Sequence, residues 1–188
     1  NFGVGNYGVD QALLRYECTS LPDTVQVVVM AFVPETICRI QSCWKHYLEF
    51  GNTFAFKPRF KLDSEGRLIF LENNIRRAED FTGLRENLPR IRDADGFYVK
   101  KFRSYQFRFP YTLSMMRHPL NHSMLISAVG SRSVLRAVGV PCQVIEDLPF
   151  TLVMKRNLRE AFRQYHDIHA TALLDAILLR FRDEAKRR

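Results

Sequence analysis

The sequence predicts an α+β protein, a mainly antiparallel, curved sheet of about five to seven strands with a strand–helix unit near the N-terminus and a helical C-terminus. Three observations lead there. Thr24–Val33 (TVQVVVMAFV) is β-branched and apolar almost throughout. Residues 53–72 alternate in polarity, turn at Asp63-Ser64-Glu65-Gly66 and return as a second apolar run. Leu173, Leu174, Ile177, Leu178 and Phe181 recur at helical spacing near the end of the chain.

Each element follows from local chemistry. Residues 1–23 read as a Gly-rich N-terminal arm (NFGVGNYG) and a short helix over Val9–Glu17, broken by Ser20-Leu21-Pro22-Asp23. Residues 24–188 read as one α+β domain with a charged C-terminal tail from Arg180 to Arg188. Thr24–Val33 suits a strand covered on both faces. Pro34 and Glu35 then suit the first turn of a helix, with Ile37, Ile40, Trp44, Tyr47 and Leu48 on its apolar face and Gly51 as its stop.

In Thr53–Leu62 the period changes to two. Phe54, Phe56, Phe60 and Leu62 are expected to face the core, and Lys57, Arg59 and Lys61 to share an outward side, with Pro58 marking an edge or bulge. Arg67–Glu72 returns, which predicts a hairpin. Asn73–Gly96 is polar and mixed in charge and predicts a short helix or an ordered, functional loop.

Phe97–Phe109 (FYVKKFRSYQFRF) predicts an aromatic, basic strand with a bulge near residues 100–104, ended by Pro110. Tyr111–Met116, Met124–Val129, Val140–Glu146 and Phe150–Met154 read as further strands, and Ser131–Val138 as one or two helical turns. Leu158, Ala161, Phe162 and Tyr165 share one helical face, and Asp167 is placed to cap the last helix. The stripe from Leu173 to Phe181 belongs to the core or docks on a partner.

Composition narrows the function. The 188-residue chain is 46% apolar, within the globular band, and has no apolar run near the ~20 residues of a membrane span. It holds 28 Lys and Arg against 20 Asp and Glu, a net charge of +8. That charge is uneven. Residues 1–56 carry 3 basic and 5 acidic groups, residues 57–132 carry 15 and 8, and residues 133–188 carry 10 and 7. A positive middle of this kind favours nucleic acid over small acidic metabolites. The cysteines Cys18, Cys38, Cys43 and Cys142 are irregularly spaced, as expected of reduced thiols in a reducing compartment. The chain opens on Asn1 and shows no leader, as expected of a processed form that could have lost an organellar presequence.

Motifs for catalysis or cofactors are weak. Gly3-x-Gly5-x-x-Gly8 has no strand before it, which a dinucleotide-binding turn requires, and reads as a flexible arm. His118 with His122, and His166 with His169 in HDIH, lack further ligands nearby in sequence; the HDIH segment reads as a helix junction. No G-x-S-x-G, H-E-x-x-H or Walker-type signature is present. No enzyme, cofactor or metal is expected.

The basic and aromatic strands remain. Lys57, Arg59, Lys61, Arg67, Arg76, Arg77, Lys100, Lys101, Arg103 and Arg108 are the candidate phosphate contacts, and Tyr98, Phe102 and Tyr105 could stack on unpaired bases. The expected function is a non-catalytic RNA-binding structural protein of a large ribonucleoprotein, foremost a mitochondrial ribosomal protein. It would contact the RNA phosphate backbone, in that setting rRNA, and neighbouring proteins, in the mitochondrial matrix or otherwise the cytoplasm. Two alternatives are a stand-alone annealing factor for single-stranded RNA, whose plan the strand-rich body and helical end mildly resemble in the Whirly type, and an accessory subunit of an organellar protein complex without RNA binding.

Overall fold

A computed structural model describes residues 7–22, 24–44, 56–73, 75–98, 109–117, 119, 130–139, 151, 155 and 158–188. Helix α1 spans Val9–Glu17, with Leu13 and Leu14 one turn after Val9 and Asp10, so Val9, Asp10 and Leu13 all turn inward. Gln11 Oε1 accepts from the Gly8 N–H at 3.2 Å and closes the first turn. A short helix α2, Thr36–Arg39, follows. Strands β1, Arg59–Leu62, and β2, Leu68–Leu71, pair antiparallel with Phe60 opposite Phe70. After them come a 3-10 turn at Ala78–Phe81 and helices α3 (Leu84–Ala94), α4 (Tyr111–Arg117) and α5 (Ile168–Arg187). Residues 130–137 and 158–164 are also helical. The fold is thus mixed α+β, as the sequence predicts.

One apolar core joins the two ends of the chain. Val9 and Leu13 of α1 meet Ile37, Ile40, Phe60, Phe97, Ala161 and the α5 stripe Leu173, Leu174 and Ile177. Leu178 and Phe181 of the same stripe are half-buried against it. The Asp167 carboxylate caps α5, accepting from the His169 N–H at 2.9 Å and the Ala170 N–H at 3.3 Å. Arg180 forks onto Glu17 at 2.7 and 3.0 Å, tying α5 to α1. A second cluster, Cys43, Trp44, Ile75 and Ile91 with Phe56 and Leu88 against it, lies under α3. There Trp44 and Phe56 stack at 4.9 Å.

The hairpin forms where alternation and turn residues place it. Asp63 Oδ1 accepts from the Glu65 N–H at 2.9 Å and the Arg67 N–H at 2.8 Å. These bonds, with the Arg67 guanidinium, hold the Asp63 carboxyl below the usual carboxylate range. Gly66 has φ +77, a left-handed conformation that β-branched residues avoid.

Several elements differ from expectation. Residues 25–33 have no regular secondary structure and form no ladder with the described residues, and Val27 and Val29 are 77% and 81% exposed, not covered on both faces. The helix expected from Pro34 to Leu48 stops at Arg39, because the N–H groups of Cys43 and Trp44 turn to a side-chain carboxylate instead. Tyr111–Met116 is helical, not a strand. Its residues alternate poorly in polarity, so the strand reading rested on propensity, which tertiary context overrides. Thr151, in the segment read as a strand, is likewise helical. Phe97 lies in a turn and Tyr98 is helical, neither in a strand, and Phe109 is exposed. The described sheet has two strands. The rest of the basic aromatic strand at 99–108 and the strands expected at 124–129 and 140–146 lie outside the described residues, as do residues 1–6 with Gly3 and Gly5, and Phe54, Tyr47 and Leu48.

Candidate nucleic-acid interface

The outward basic face expected of β1 divides in two. Lys57 is 3% exposed and Arg59 8%, so both point inward; Lys61 is exposed. On the opposite face Phe60 is buried as expected, while Phe56 and Leu62 are half-buried. At its Lys57 end the strand is covered on both sides. Phe60 packs towards α5, where the Arg180 guanidinium lies 5.1 Å above its ring. On the Arg59 side the covering layer is main chain, the turn at Gln41 and the end of α3. Carbonyl oxygens left over at a helix end need donors, and a guanidinium supplies them.

Arg59 answers that need. Its guanidinium donates to the Gln41 carbonyl, to the Ala94 carbonyl at 2.8 Å and to the Phe60 carbonyl at 3.0 Å. Ala94 is the last residue of α3, so the cation also sits at the negative end of the helix dipole. Lys57 pairs with Asp10 of α1, whose carboxylate is fully buried, and its ammonium also lies 3.3 Å from the Pro58 carbonyl. Burial pushes both cations below their ordinary values; Asp10 opposes that for Lys57, and Asp95 for Arg59. Gly8 makes room for the pair, since a Cβ there would overlap the Asp10 carboxylate.

Asp95 is the hub beside them. Its Oδ2 accepts from the Ser42 hydroxyl at 2.8 Å, the Cys43 N–H at 2.8 Å and the Trp44 N–H at 3.0 Å. Its Oδ1 accepts from the Phe97 N–H at 2.8 Å. This one carboxylate fixes two chain reversals against each other. It also bears on Cys43: burial first, then the charge and hydrogen bonding of Asp95, push that thiol up to about 12. The thiol is therefore protonated at neutral pH and is no nucleophile.

Of the remaining candidates, the described ones lie outside this centre. Arg67 is exposed and paired with Asp63 at 3.0 Å and Glu65 at 2.9 Å. Arg76 is exposed and paired with Glu72, and Arg77 is exposed beside it. Exposed pairs of this kind are worth under about 1 kcal/mol and give way readily to another anion. Lys100, Lys101, Arg103 and Arg108, with Phe102 and Tyr105, lie outside the described residues. Tyr98 is half-buried against the second cluster. His166 and His169 flank the Asp167 cap, and among the described residues no three His, Cys, Asp or Glu side chains gather as metal ligands. No described helix is long and apolar enough to cross a membrane.

Sequence reasoning missed Asp10 and Asp95. Asp10 had a signal: it precedes Leu13 and Leu14 by three and four residues, which puts a carboxylate on the apolar stripe of α1. Asp95, at the end of a polar segment, had none. The chain matches no family model, no curated protein and no solved structure.

Proposed function

We propose that this protein is a non-catalytic, RNA-binding structural component of a large ribonucleoprotein, of the kind organellar ribosomes contain. One observation supports the reading above the others. The buried cations Lys57 and Arg59 are matched by two buried carboxylates, Asp10 and Asp95. The excess of eight positive charges is therefore carried entirely by other residues, Lys61, Arg76 and Arg77 among them. Such an excess attracts a polyanion and releases its counterions on contact.

The test is a salt titration of RNA binding by Lys61→Gln, Arg76→Gln and Arg77→Gln combined, read by filter binding with a single-stranded RNA. Loss of three phosphate contacts flattens the slope of log K against log salt by about 0.7 each, roughly 2 units in all. Exposed substitutions cost within about 0.5 kcal/mol each, so the melt should barely move. The loss should be alike across RNA sequences, because phosphate contacts position a strand without reading it. An unchanged slope with normal melting would refute the assignment to these cations. Absence of salt-dependent RNA binding in the parent chain would favour an accessory subunit of a protein assembly.

A further inference from the structure

We infer that residues 26–32 are a docking strand for an extended, acidic segment of a partner protein, which adds to this chain by β-pairing and lays its carboxylates along the C-terminal end of α5. The inference deepens the assembly side of the proposed function and rests on that reading for its setting, not for its geometry. The segment forms neither helix nor ladder, its exposure alternates (Val27 and Val29 exposed, Val28 and Met30 half-buried), and among the described residues no backbone hydrogen bond forms to the N–H or carbonyl groups of Gln26–Phe32. A row of such groups in β-branched sequence is a template for another strand. Val25, Val27 and Val29, on one parity of the segment, are exposed together with Phe32 and Val33.

What covers it is indicated by the wall opposite. A cleft of about 660 Å³ runs between this segment and α5, with Val25, Val27 and Phe181 as apolar lining and Arg182, Lys186 and Arg188 as the charged side. No described carboxylate lines it. Arg188 is committed to the end of α1, donating to the Glu17 and Thr19 carbonyls at 2.6 Å and to that of Tyr16 at 3.2 Å. Arg182 leans on Asp183. Lys186 has no ion pair among the described residues and is exposed. Apolar residues on one wall and an available ammonium on the other suit a strand alternating apolar and acidic residues. RNA would leave the valines and the main-chain donors and acceptors without counterparts.

The probe is a short peptide alternating Val and Glu, with a Val–Lys peptide and a single-stranded RNA as comparisons, against the full chain by fluorescence anisotropy and amide hydrogen exchange. The Val–Glu peptide should bind about tenfold tighter than the Val–Lys peptide. It should slow exchange at residues 26–32. Lys186→Glu should reverse the peptide preference. Val27→Asp with Val29→Asp should abolish binding while the melt holds, since both side chains are exposed. Equal binding of the two peptides, amides at 26–32 already protected in the free chain, or displacement of the Val–Glu peptide by RNA would overturn the inference. The peptide arms contain no RNA, so their failure leaves the salt titration above unaffected.

Discussion

Removing Asp10 should cost this protein several times what removing an ordinary surface carboxylate costs, and removing Lys57 as well should return most of it. Asp10 is 0% exposed and Lys57 3%, and they pair directly. Asp10→Leu leaves an ammonium in the core with the Pro58 carbonyl at 3.3 Å as its described neighbour. Breaking a buried pair in this way costs about 3–5 kcal/mol. Against a domain stability of about 5–15 kcal/mol, that is a large fraction. Replacing both partners removes the uncompensated charge and both desolvation costs, so Asp10→Leu with Lys57→Met should be near neutral, about 3 kcal/mol above either single variant. Urea denaturation checks it. At a slope of about 1–3 kcal/mol per molar, each single variant should shift the midpoint down by about 1–5 M, and the double variant should restore it. Singles below about 1 kcal/mol with an additive double would refute the buried pair, and with it the account of why Lys57 points inward.

Three further outcomes follow from the same structure. Cys43 is held at about 12 in the folded chain against an ordinary 9.0, so between those values the unfolded chain has lost a proton that the folded chain keeps, and stability should fall as pH rises. Cys43→Ala should flatten that decline, checked by melts between pH 8 and 11; Lys57, lowered from 10.5, works in the opposite sense, its burial cost easing as pH climbs towards 10.5. Asp167→Ala should cost about 1 kcal/mol through loss of the α5 cap, measured by urea melts, with Asp167→Asn costing much less. Gly8→Ala should destabilise by forcing the Asp10 carboxylate aside, and should do so far less in the Asp10→Leu background, which a double-mutant cycle reads directly.

How much of this was legible depended on whether the deciding partner was local. The α5 stripe, the Asp167 cap and the Asp63–Gly66 turn are set by residues within four positions, and the sequence carried all three. The faces of β1 were not so decided. Alternation correctly turned Phe60 inward, but it assumed one wet face, and at Lys57 and Arg59 the strand has none. What brings those cations inside is Asp10, 47 residues earlier in the chain, and the carbonyls of Gln41 and Ala94, 18 and 35 residues away. No period in the sequence encodes such distances. The α2 helix fails for a related reason, since Asp95 captures the N–H groups of Cys43 and Trp44 from more than 50 positions downstream.

The inward turn of Lys57 and Arg59 sharpens the functional question. Had the two cations been solvated, as alternation suggests, the basic hairpin would be open to a bland account, an outer face that is charged merely because it is wet. Their burial removes that account for these two and shifts attention to where charge remains unbalanced. Among the described residues the buried side chains Lys57, Arg59, Asp10 and Asp95 balance in charge and serve the fold: Arg59 satisfies helix-end carbonyls, Lys57 and Asp10 join β1 to α1, and Asp95 joins two turns. Outside, the surplus positive charge is self-repulsive and works against compactness. The exposed valines of residues 25–29 likewise contribute nothing to the core. Both features are costs to an isolated chain, one electrostatic and one hydrophobic, and they are relieved by different partners. A polyanion relieves the first and an extended acidic polypeptide the second. A protein set between RNA and a neighbouring protein meets both at once, which is the physical reason for preferring a component of a ribonucleoprotein to either a free RNA binder or an RNA-free subunit.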